Sequence, residues 1–88
     1  MATATEILQR MAAECGHIEV FRGSFTAREY IYVCRPDGRA LFASDLPHEM
    51  LDQLLRLSFV FKDGEENERQ VTIYRLTPDG KKAGTRLR

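Results

Sequence analysis

From Asp45 to Gly84 the chain switches hydrophobic period twice and then stops, and that order restricts its folds more than any other stretch. Met50, Leu51, Leu54, Leu55 and Leu57 recur at helical spacing after Ser44 or Asp45, either of which can cap a helix, with Pro47 suited to its first turn. Ser58-Phe59-Val60-Phe61-Lys62 then reads as a strand. Asp63-Gly64-Glu65-Glu66-Asn67-Glu68 reads as a charged loop, Gln70 to Leu76 as the return strand, and Thr77-Pro78-Asp79-Gly80 as a stop. Helix, strand, turn, strand is therefore the expected plan of the second half.

The first half follows the same logic. Thr3 and Glu6 stand at capping-box spacing, and Ile7, Leu8, Met11, Ala12 and Cys15 follow at helical period, so a helix is expected over about 4–15 with Gly16 as its C-cap. Ile18, Val20 and Arg22 suggest a short strand, and Gly23-Ser24 permits a turn. Glu29 to Cys34 is a strong strand, rich in aromatic and β-branched residues. Arg35-Pro36-Asp37-Gly38-Arg39 is a turn, since Pro fixes one φ and Gly supplies a positive one. Ala40 to Ala43 is expected to return as a strand. The resulting order is α-β-β-β-α-β-β, a small α+β fold with both helices packed on antiparallel sheet. One domain is expected over 1–80, followed by a basic C-terminal tail over 81–88 that is mobile or a short helical turn.

Composition narrows the function classes. At 88 residues and 43% hydrophobic content the chain can bury one modest core. No apolar run is long enough to span a membrane, and the first residues lack the basic-then-apolar pattern of a secretory signal. A cytoplasmic address is the expectation. Cys15 and Cys34 have no CxxC spacing, so both are expected as small buried hydrophobes. Net charge is zero but segregated: residues 1–68 carry seven Lys/Arg and twelve Asp/Glu, residues 69–88 six Lys/Arg and one Asp. A neutral chain with a basic end can still present one basic face.

The residues offer no catalytic arrangement, and no enzyme activity is expected. His17 and His48 have no Cys or His at ligand spacing, so no metal and no cofactor is expected. Cys34 with His48 is the one conceivable nucleophile and base, but an apolar strand disfavours a thiolate. The acidic run 63–68 lacks the alternating ligands of a calcium loop.

Leu51, Leu54, Leu55 and Leu57, then Phe59-Val60, then the close Tyr74-Arg75-Leu76-Thr77-Pro78-Asp79-Gly80 resemble the recognition helix and wing of winged-helix proteins. The whole chain also resembles the small YjhX-type toxin family, through Cys15-Gly16-His17-Ile18, Val33-Cys34, and Gly38-Arg39-Ala40-Leu41 ahead of helix and wing. The winged-helix resemblance implies a transcription regulator binding DNA through Gln53 and Arg56 on the second helix, Lys62 and Arg69 at the wing base, and Lys81, Lys82, Arg86 and Arg88 in the tail. The basic residues would contact phosphates rather than read bases.

The toxin resemblance, and the local charges, imply something else. A β meander over 17–43 replaces the usual helix-turn-helix pair. The second helix exposes Glu49 and Asp52, and the wing tip carries Glu65, Glu66 and Glu68, which repel phosphate. Those five acids suit a small inhibitor, toxin-like or of a mobile-element anti-defence type, that binds a nucleic-acid-handling protein. A third reading is an interaction module whose fold is all the sequence reveals. Tyr30, Tyr32 and Phe42 would form a homodimer surface if the meander is one-sided.

Overall fold

The computed structural model of the chain describes residues 3–22, 28–42, 45–66 and 70–86. Thr3 opens the first helix, α1 (Ala4–Glu14): its hydroxyl oxygen accepts the Glu6 N–H at 3.2 Å, satisfying one of the amides a helix N-terminus leaves over. Ile7, Leu8 and Met11 form its buried stripe. The end of α1 departs from expectation. Cys15, not Gly16, takes the left-handed conformation, with φ 55°. Gly16 supplies room instead, because a Cβ there would stand 2.9 Å from the Cys34 carbonyl oxygen. Cys15 is exposed, which corrects the expectation of a buried thiol, whereas Cys34 is buried.

Two hairpins follow and join into one antiparallel sheet. β1 (His17–Arg22) pairs with β2 (Glu29–Cys34), and β3 (Val60–Glu66) with β4 (Val71–Leu76). β1 and β4 also pair, so the order is β2-β1-β4-β3. Alternation sends Ile18 and Val20 of β1 and their partners Val33 and Ile31 of β2 to one face. That face shares a single core with Ile7, Leu8 and Met11 of α1 and with Leu51 and Leu54 of α2 (His48–Arg56). The α+β class, with helices on an antiparallel sheet, is as expected. No helix among the described residues is long and apolar enough to cross a membrane.

Four local expectations are corrected. The strand expected at 40–43 reduces to a single bridge between Cys34 and Ala40, with Ala43 outside the described residues. Leu41 is buried and its neighbour Phe42 also packs on the core, and two successive inward residues break the period-two pattern of a strand. α2 begins behind Pro47 with no side-chain cap. Asp45 instead faces Arg28 at 3.8 Å, and Ser44 lies outside the described residues. β3 runs on through the first acids to Glu66, with an irregularity between Lys62 and Gly64 that leaves Asp63 unpaired in the ladder. The Gly23-Ser24 turn lies outside the described residues.

The fourth correction is the largest. The segment read as a stop and a basic tail forms a third helix, α3 (Pro78–Arg86). Thr77 caps it, accepting the Gly80 N–H on its hydroxyl at 3.0 Å, and Pro78 occupies the first helical position. The same hydroxyl donates to the Ser58 carbonyl oxygen at 2.6 Å, and the Thr77 N–H donates to the Phe59 carbonyl at 3.0 Å. One threonine thus starts α3 and ties it to the junction between α2 and β3. The observed order is α-β-β-α-β-β-α.

Candidate interaction surface

α2 carries the first group of predicted contacts. Its outward positions are His48, Glu49, Asp52, Gln53 and Arg56, all exposed. Glu49 sits in the first turn and Arg56 in the last, the arrangement that complements a helix dipole. His48 approaches Glu29 at 3.9 Å and not Cys34, which lies at the opposite end of β2; the conceivable thiol–imidazole pair with His48 does not form.

The hairpin β3–β4 carries the second group, and its cations are neutralised. Lys62 bonds to Glu65, and that hydrogen bond, then the carboxylate's charge, raises the Lys62 pKa above its ordinary 10.5. Arg75 donates from Nε to Asp63. Phe61 and Arg75 are register partners and share a sheet face, while Lys62, the next residue on β3, points to the other. The basic groups near the wing base therefore diverge.

α3 carries the third group. Lys81 and Lys82 are exposed on an ordered helix rather than on a loose tail. Lys81 lines a groove of about 500 Å³ with Cys15, Phe61, Arg75 and Thr85. Among the described residues no carboxylate pairs with Arg56, Lys81 or Lys82. Arg69, Glu68 and Arg88 lie outside the described residues, as do the side chains of Glu66 and Arg86. The structure thus brings Lys81 to Arg75 and Phe61, and keeps Lys62 apart from them.

Three residues that the sequence reading sent to the core, or passed over, belong to this surface. Leu55 is 36% exposed, Leu57 50% and Phe61 42%, the exposed large hydrophobics among the described residues. All fall between 55 and 61, where α2 turns into β3. The signal was present in the sequence. Leu55 stands beside the buried Leu54 on the nine-residue helix, Leu57 falls just past its end, and Phe61 alternates with the buried Val60.

The aromatic residues expected at a dimer surface divide. Tyr30 and Tyr32 gather round Phe21, with ring centroids 5.9 and 5.4 Å away, on the sheet face opposite the core by register. Phe42 packs on the core instead, under the Arg10 guanidinium at 5.7 Å, because its segment turns inward. Comparison with protein-family models, with curated proteins and with solved structures found no match.

Proposed function

We propose that this protein is a non-enzymatic binding module that docks on a basic protein surface, of the kind that ordinarily holds nucleic acid, and blocks it. The observation that carries this reading is the exposure of three large apolar side chains, Leu55, Leu57 and Phe61, along the short stretch where α2 passes into β3. Apolar side chains gain little against phosphate. Against a protein they gain roughly 25 cal/mol for each Å² removed from water. Glu49, Asp52 and Glu65 supply exposed acids on the same two elements, and opposite charge on the partner would speed association. Lys62 and Arg75 add no free positive charge, being held by Glu65 and Asp63.

A second reading, direct DNA binding, is favoured by one observation: Lys81 and Lys82 are exposed on α3 with no carboxylate partner among the described residues. The test separates the two. The chain, and a Leu57→Asp/Phe61→Asp variant, are used to isolate a partner, which is then purified and titrated with each. Duplex DNA is titrated in parallel at low and moderate salt. A one-to-one complex lost in the variant, with weak DNA affinity, supports protein docking. Salt-sensitive duplex binding that falls in Lys81→Ala/Lys82→Ala and ignores Leu57 and Phe61 would replace it with the DNA reading.

A further inference from the structure

The register of β1 and β2 sets His17 directly opposite Cys34, and alternation puts Glu19 on the same face, diagonal to Cys34. One donor atom from each residue lies within 4.8 Å of the other two. His17 Nε2 and Glu19 Oε2 are 3.3 Å apart. The edge of a tetrahedron with bonds of about 2.0–2.1 Å is itself about 3.3–3.4 Å. The three side chains are almost wholly buried, His17 at 8% exposure. His17 Nδ1 is buried with no hydrogen-bond partner among the described residues. The other ring nitrogen, Nε2, is the one that faces Glu19.

We propose that His17, Glu19 and Cys34 bind a zinc-class divalent cation, through Nε2, a carboxylate oxygen and the thiolate. Imidazole, carboxylate and sulfur together select borderline-soft metals and disfavour magnesium and calcium. Three protein ligands leave a fourth position for water. A small contraction of about 1 Å by Cys34 completes the set at zinc–sulfur distances near 2.3 Å. The thiol proton leaves to solvent as the metal–sulfur bond forms, and the weak S–H contact to the Tyr32 carbonyl, at 3.9 Å, is given up. Arg75 is the β4 register partner of His17, and its charge would oppose a cation, but its guanidinium is held by Asp63. The bound ion staples the edge strand β2 to the central strand β1. This site is independent of the docking surface.

The exposed Cys15 is removed first, as Cys15→Ser, so that Cys34 is the only thiol. Cobalt(II) titrated into that full-length chain is expected to give a thiolate-to-metal charge-transfer band at one equivalent, bleached by zinc, with a proton released. Glu19→Gln should weaken zinc by more than the roughly 10- to 100-fold that loss of an outer-shell partner brings. Cys34→Ser should abolish the band, and ring nitrogen NMR shifts should identify Nε2 as the bound atom. If Cys34→Ser fails to fold, alkylation decides: zinc should slow modification of Cys34 in the Cys15→Ser chain. No charge-transfer band, a band that survives Cys34→Ser, or alkylation indifferent to zinc would each overturn the site.

Discussion

Gly84 faces Leu8 so closely that a Cβ on the glycine would lie 2.4 Å from the Leu8 carbonyl oxygen and 2.9 Å from Ala12 Cβ. No rotamer change relieves a clash with backbone, so α1 and α3 would have to separate. Gly84→Ala gains about 1 kcal/mol of helix propensity and loses about 1–3 kcal/mol to overpacking. The expected outcome is net destabilisation by up to about 2 kcal/mol, read as a lower urea midpoint with unchanged m. A stabilised variant would mean that α3 does not pack on α1.

Thr77 links α3 to the α2–β3 junction through one hydroxyl, which accepts from Gly80 N–H and donates to the Ser58 carbonyl. Thr77→Ala removes the cap and that donor together, an expected loss of about 1–2 kcal/mol. Thr77→Ser keeps both bonds and should lose less. Thermal unfolding followed by circular dichroism ranks the three proteins, and equal midpoints for Ala and Ser would deny the hydroxyl its role.

What the sequence disclosed and what it hid follow from the same contacts. Thr3 with Glu6, the alternation of 29–34 and the leucines of α2 are local signals, and each element formed where its period lies. α3 left no such signal, because its contact face is Gly80, Ala83 and Gly84 rather than leucines, and close backbone approach does not register as hydrophobic period. Thr77-Pro78-Asp79-Gly80 reads as a stop in the sequence, and packing makes it the start of a helix. The His17–Glu19–Cys34 cluster is hidden differently. His17 and Cys34 are far apart in sequence, and only the β1–β2 register makes them neighbours. At Leu55, Leu57 and Phe61 hydrophobicity was plain in the sequence, and exposure only through Leu57 lying past the helix end and Phe61 alternating with Val60.

The charge pattern makes a prediction that separates the two functional readings. Glu65→Lys/Glu66→Lys frees Lys62 from its partner and reverses the charge on the hairpin. Under protein docking it should abolish the complex, because like charges then face each other across the interface. Under DNA binding it should tighten duplex affinity and steepen its salt dependence. Lys81→Ala/Lys82→Ala should leave the protein complex intact and flatten that dependence. Titrations at two salt concentrations check all four cases, and insensitivity of both double variants would remove both surface assignments.

Lys62 gives the one pH dependence that follows from a shifted group. Its hydrogen bond to Glu65, then the carboxylate's charge, raises its pKa above 10.5. A group raised on folding stabilises the fold fully below its unfolded pKa and loses that contribution as pH climbs through the folded value. The loss therefore belongs above pH 10.5, and the pair leaves stability flat across neutral and mildly alkaline pH. Exposure to solvent screens the interaction, so the effect on stability is small. Glu65→Gln removes the carboxylate's charge, and the Lys62 titration, followed by NMR at the side-chain Cε, should move down toward 10.5. A Lys62 titration identical in both proteins would show that the ion pair does not persist in solution, and would return Lys62 to the free cations available to DNA.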